Sequence, residues 1–354
     1  MMWILGAEGL FHALFILTGW QVWSVFSQQF QHSAWHGLTF YDLIFPLFIF
    51  LSGVTLGISQ LHLRDAPSEK KIRTYKKAFI RLLLLCLLGI LYNHGWGQGV
   101  PVELDKIRYA SVLMRIGVVW FFTALIVWHF DNRQQYMFLV FIPIFYWVLQ
   151  TFVPIPSGEL GKLTPSASWN AWIDQTFLPG ITYQNSAADP EGILSHFSAI
   201  FNGLTGAVFG RYLVHESKPV KQRLLALIIA STILTVLGLF WSIIYPLNKA
   251  LWTSSFALVT SGISGLLLCL FYWLFDVQKL KRLGYFFAVI GVNAILLYLL
   301  SSILNWQYLV QSLFGKIIET TQDSVGLLIG VLALVFFQWF FAHLLYKKKI
   351  FLKV

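Results

Sequence analysis

Apolar segments long enough to cross a bilayer recur along almost the whole chain, and no other feature restricts its folding as strongly. A helix needs about 20 mostly apolar residues to span the hydrocarbon core. Ten such stretches are read at 2–20, 41–61, 77–93, 110–130, 136–153, 192–213, 223–245, 251–275, 284–304 and 325–346. Spanning segments must satisfy their own backbone polar groups, so they are helices or closed barrels, and the alternation of barrel strands is absent here. The chain is 57% hydrophobic and 11% charged, with a mean hydropathy of +0.70, which excludes a water-soluble domain of this size. The expectation is an all-α, polytopic integral membrane protein of about ten transmembrane helices, forming one membrane domain over 1–354.

A formal charge of +10 does not point to nucleic acid, because the Lys and Arg residues sit in short connections between spans and not on a soluble face. Their distribution instead sets topology, since cytoplasmic loops carry the excess of Lys and Arg. One set of connections (62–77, 131–135, 214–223, 276–282 and the tail after 346) holds seventeen; the alternate set holds five. Both termini are therefore expected in the cytoplasm, with the loop around His32 outside. Cys86 and Cys269 lie inside predicted spans and read as packing residues, without a disulfide or thiolate metal site. The first span has no basic segment before it and no small-residue cleavage site after it, so it is read as a retained helix, one whose abrupt start at Met1 suggests a late start codon.

Two outer connections are long enough to act as lids, 154–191 and 305–324. The first is rich in Pro and Gly, which break long helices, and carries Trp169 and Trp172 in a short amphipathic piece. No repeat of fixed period is found.

Titratable groups at a membrane mouth are costly unless they face protein or water, which singles out His32, His36 and Asp42, where a polar loop enters the second span. An imidazole can take a proton from an amine or hydroxyl, or accept an acyl group, and a carboxylate partner fixes its tautomer. Asp42 is equally placed to cap its helix. Glu8 and His12 are spaced i, i+4 on the first span and share a face. Arg108 and Arg115 share a face at the outer start of the fourth; Arg108 can snorkel, whereas Arg115 lies deeper and calls for a carboxylate or phosphate partner. Asn248 and Lys249 follow Pro246 in an outer turn, suited to sugar hydroxyls or anionic groups or, for Asn248, to turn formation. Asn293 reads as a helix–helix hydrogen bond or a pocket contact. No Walker or dinucleotide Gly-rich loop and no metal motif is present.

The words His32-Ser-Ala-Trp-His-Gly-Leu-Thr, Asp42-Leu-Ile-Phe-Pro, Asp189-Pro-Glu-Gly and Pro246-Leu-Asn-Lys-Ala-Leu-Trp252, with similarity through 108–117 and 291–298, resemble the heparan-α-glucosaminide N-acetyltransferase family and its bacterial relatives. The resemblance implies ten membrane helices, a homodimer, and transfer of acetyl from cytoplasmic acetyl-CoA to an amino sugar across the membrane. It implies His32 as the active-site histidine and Asp42 as its partner, with His36 standing where human-type sequences carry Asn. The animal members' helix asparagine has no counterpart here, and Glu8 is the substitute expected for that second polar group. Acetyl-CoA brings phosphates that need cations or helix N-termini; Arg81, Arg211, Lys218, Lys221 and Lys279 lie on the basic side. The expected setting is a bacterial inner membrane, with lipid and a glycan or amino-sugar acceptor as partners. Two other readings stand beside this one: a transporter of a small polar solute, and an O-acetyltransferase of a cell-envelope glycan.

Overall fold

The structure, a computed structural model, describes residues 6–94, 103–156, 162–215, 217–321 and 323–352. Its helices are α1 Gly9–Thr18, α2 Gln21–Gln29, α3 Phe40–Ser59, α4 Ser68–His94, α5 Val112–His129, α6 Asn132–Phe152, α7 Trp169–Phe177, α8 Ser195–Leu213, α9 Val220–Trp241, α10 Ser254–Tyr272, α11 Lys281–Val292, α12 Ala294–Ile303, α13 Trp306–Thr320 and α14 Asp323–Lys347. No strand occurs among the described residues; one isolated bridge pairs Arg108 with Gly180. Among the described residues six helices are long and apolar enough to cross a membrane, seven if the bent pair α11–α12 counts as one span. The faces of α6 and α9 expose Val140, Phe141, Ile229 and Phe240, a surface that suits lipid and not water. The protein is a multi-pass integral membrane protein.

The bundle is organised around α8, which packs on α3, α5, α6 and α10. Small residues permit this. Gly53 and Gly57 on α3 face Gly203 and Ala207 on α8, while Gly206 and Gly210 on α8 face Phe50 and Val54, so closely that a Cβ on Gly53, Gly57, Gly206 or Gly210 would strike the opposing backbone. This small-xxx-small packing replaces the hydrophobic drive that lipid cannot supply. Because α8 touches protein on all sides, it carries polar residues that a lipid-facing span could not. Asn202 donates to the Ala257 carbonyl, Thr260 and Ser261 on α10 and accepts from the indole of Trp252. That polarity is also why α8 falls outside the helices apolar enough to count as spans by composition alone.

Three segments differ from the expectation. Within 2–20, α1 has ten residues and ends where Gly19 turns left-handed at φ 68°; residues 1–5 lie outside the described residues. The ninth stretch is bent by 57° between α11 and α12. The connection 305–324 is helical over α13, started by the Asn305 side chain accepting from the Tyr308 N–H, and its Gln, Lys and Glu residues hide it from a hydropathy reading. The amphipathic piece of 154–191 is α7, capped by Ser168.

Candidate functional site

The 32–42 loop is wound around one carboxylate. Thr39 and Asp42 form a reciprocal capping box at the start of α3, and the fully buried Asp42 spends Oδ2 on the N–H groups of Ser33 at 3.1 Å and Thr39 at 3.3 Å. This leaves Oδ1 for the His32 Nδ1, 2.8 Å away. Capping and orientation are thus divided between the two oxygens. With Nδ1–H donated to Asp42, the free lone pair of a neutral imidazole is on Nε2. The His32 side chain is 56% exposed and rests edge-on against Tyr41.

A second segment brings a cation to the same place. Lys249 Nζ lies 3.2 Å from Asp42 Oδ1 and 3.0 Å from His32 Nδ1. Its turn is locked from both sides. Asn248 Nδ2 donates to the Trp35 carbonyl, Asn248 Oδ1 accepts from Leu251 N–H, and the Leu247 carbonyl accepts from Gly37 N–H. Trp252, left-handed at φ 52°, anchors the turn in the core between Phe45 and Phe256. Burial pulls the Lys249 ammonium below the usual lysine range, and the Asp42 carboxylate opposes that pull without cancelling it.

These groups open onto a cavity of about 630 Å³, within the range of small-ligand sites. Its rim includes Trp35, Pro165, Tyr183 and Gln184, and its wall Tyr41, Phe48, Tyr92 and Tyr298. Part of 154–191 therefore covers the cavity, tied to the His32 loop by the Trp35 indole donating to the Leu163 carbonyl. A second charged station lines the cavity. Arg108 donates to both oxygens of Asp189 at 2.8 and 2.6 Å and to Glu191 at 2.5 Å. Burial alone would weaken the Arg108 cation, but Asp189 and Glu191 outweigh it and hold its ionisation above the ordinary arginine range. Below them Asp174 accepts from the Asp189 and Ile193 N–H groups. A Cβ at Gly192 would collide with the Asp174 carboxylate, which explains the glycine of Asp189-Pro-Glu-Gly. Burial pushes the Asp174 carboxyl up to about 6.

Of the residues singled out from sequence, His32, Asp42, Lys249 and Arg108 line one cavity. The others take different places. Asn248 is fully buried, its amide consumed in holding the turn. His36 is exposed, 3.4 Å from Asn248 Nδ2 and outside the cavity lining. No bond joins Glu8 to His12 among the described residues; the Glu8 carboxylate lies near Tyr41, and His12 is exposed. Among the described residues, no protein carboxylate is in the immediate contacts of Arg115. Its guanidinium stacks on Trp252 at 4.7 Å and Phe45 at 5.6 Å and donates to the Ser195 hydroxyl, with Glu191, Asp189 and Asp174 acting from farther away. Asn293 holds the segment after α14, donating to the Ile350 carbonyl and accepting from Leu352 N–H. Away from this cavity, Arg81 stacks on Trp120, Arg211 donates to Gln135 and Lys218 to the Tyr212 hydroxyl. Asp189, Glu191 and Asp174 join the site from outside the residues that the sequence singles out. The word Asp189-Pro-Glu-Gly marked the first two without saying what they hold, and Asp174 in α7 carried no signal.

The words that assemble this cavity are those on which the family resemblance rested. The chain is similar to two curated acetyltransferases. It is 27% identical, over 92% of its length, to the heparan-alpha-glucosaminide N-acetyltransferase of Mus musculus, and 25% identical, over the same share, to that of Homo sapiens. It spans about half the length of these relatives, 56% of each. No family model matches the chain. The similarity supports the resemblance at family level.

Proposed function

We propose that the protein is a transmembrane acetyltransferase that moves an acetyl group from cytoplasmic acetyl-CoA to the amine of an amino sugar or related glycan on the far side of the membrane. The observation that carries this reading is the His32–Asp42 pair at 2.8 Å, open to the cavity and sitting in the words on which the family resemblance rests. Asp42 holds the Nδ1–H tautomer, so His32 Nε2 is free to take the acceptor's proton as a general base or to be acylated itself. The aromatic wall and rim suit a sugar ring, whose C–H faces pack on aromatic surfaces while its hydroxyls seek polar partners. Ten crossings with both termini in the cytoplasm, the arrangement favoured by the Lys and Arg distribution, put His32 on the outer side. The thioester then has to reach it through the bundle. Assembly as a homodimer in a bacterial inner membrane belongs to the same reading.

The test is release of free CoA thiol by purified, detergent-solubilised protein given acetyl-CoA and glucosamine, beside a His32→Ala control. Glucosamine-dependent release that is lost in the variant is the expected result. No turnover across a panel of amino sugars and hydroxyl acceptors would overturn the reading and favour a transporter; release with hydroxyl acceptors alone would reassign the acceptor.

A further inference from the structure

Two cations line the cavity, and they are not equivalent. Arg108 gives Nε and Nη2 to Asp189 and Glu191, two carboxylates that already balance its charge, and it acts as a structural clasp. Lys249 has three N–H donors and one carboxylate oxygen within reach, Asp42 Oδ1 at 3.2 Å. The His32 Nδ1 at 3.0 Å offers it no lone pair, because that nitrogen donates its own hydrogen to the same Asp42 oxygen. The ammonium also lies 3.5 Å from His32 Nε2, so it rests against the imidazole with N–H groups to spare. Its side chain is 18% exposed, on the cavity side.

We infer that Lys249 is a catalytic residue whose ammonium donates a hydrogen bond to the acetyl carbonyl oxygen and stabilises the oxyanion formed when the thioester is attacked. The inference rests on the acetyltransferase reading and adds a role that His32 and Asp42 do not fill. A nucleophile hydrogen-bonded to Nε2 and an oxygen hydrogen-bonded to Nζ end up on the same tetrahedral carbon, and donor and base 3.5 Å apart can serve two such atoms together, each at about 2.8 Å.

The step balances without a further reactant. The acceptor nitrogen's lone pair bonds to the carbonyl carbon, and the C=O π pair moves onto oxygen, where Lys249 meets it. His32 Nε2 takes the proton that the nitrogen sheds. When the carbonyl re-forms, the C–S bond breaks with its electrons on sulfur, and His32 Nε2–H returns the proton to give free CoA thiol and an N-acetyl product. Lys249 keeps its protons throughout. The pairing with Asp42 serves this role, because it fixes the ammonium beside the imidazole and leaves at least one of its three donors for the substrate.

Lys249→Met keeps most of the side-chain volume and removes the donors. In the CoA-release assay on the purified full chain, kcat should fall about 100-fold or more, the loss typical of one oxyanion donor, with KM for acetyl-CoA within threefold of wild type. Lys249→Arg should recover part of kcat. Methylammonium added to Lys249→Ala should restore kcat without moving Tm, a rescue that a purely structural lysine would not give. A Lys249→Met protein with kcat within threefold of wild type, while His32→Ala is inactive, would overturn the assignment. So would a folded Lys249→Ala protein whose activity methylammonium leaves unchanged. Wild-type protein without acetyl-CoA turnover would instead remove the parent reading, and this inference with it.

Discussion

Replacing Asp42 by Asn tests the site more sharply than deleting it, because the amide is nearly isosteric and the geometry dictates how it must lie. Oδ2 accepts from the buried N–H groups of Ser33 and Thr39. An asparagine must therefore put its oxygen there and turn its NH2 toward His32 Nδ1. That NH2 is a donor, so His32 is forced into the opposite tautomer, with the proton on Nε2 and no lone pair facing the acceptor. To restore the working tautomer the amide must flip and leave two buried N–H groups unpaired. Each unpaired group costs about 1–3 kcal/mol, together about 2–6 kcal/mol, which reduces the productive fraction roughly 30-fold to 10⁴-fold at about 1.4 kcal/mol per decade. The upper end matches the loss of about 10⁴ known for a wrong-tautomer triad in another enzyme class. The helix cap survives in this variant but Lys249 loses its carboxylate partner, so Tm should fall by a few degrees while kcat in the CoA-release assay drops by at least 30-fold. An Asp42→Asn enzyme retaining more than a third of wild-type kcat would refute the tautomer argument.

Three further outcomes follow from the same geometry. Arg108→Met leaves Asp189 and Glu191 buried without their cation, a loss of about 3–5 kcal/mol; Tm of the detergent-solubilised protein should fall by several degrees, and KM for the acceptor should rise as 183–191 loosens over the cavity. Asp174 has a carboxyl raised from 3.8 to about 6 by burial, so its folded-state pKa exceeds its unfolded one. Its contribution to stability is complete below pH 4 and is lost as pH rises through 6, about 3 kcal/mol in all; a Tm–pH scan compared with Asp174→Asn would expose that slope. A Cβ at Gly206 would meet the Phe50 carbonyl on α3, so Gly206→Val should cost about 3 kcal/mol or more by overpacking, whereas Gly315→Ala, with open space around its Cβ, should leave Tm unchanged within a degree.

The sequence made the helical class and the membrane setting legible because both follow from a single repeated quantity, the length of apolar runs. It also pointed to His32 and Asp42, since two such groups at a membrane mouth need a reason to be there. What it missed has specific causes. The polar helix α8 is central because the bundle surrounds it, and α13 is a helix because Asn305 caps it; neither fact is visible in hydropathy. Arg115 was expected to seek an anion, but it is stacked on Trp252, a partner 137 positions away in sequence. Asn293 was read as a pocket or interhelical contact, and instead fastens the chain after α14. The role of Asp189 and Glu191 as a clasp on Arg108 depends on a separation of about eighty residues, which no local pattern encodes.

The most direct measurement is transfer across a membrane by purified protein in sealed vesicles, with acetyl-CoA added on the side of the Lys-rich loops and glucosamine confined to the other. The expected result is N-acetylglucosamine on the glucosamine side, free CoA on the acetyl-CoA side, and neither with His32→Ala. Product formed only when both substrates share one compartment, or equal amounts from His32→Ala, would contradict it.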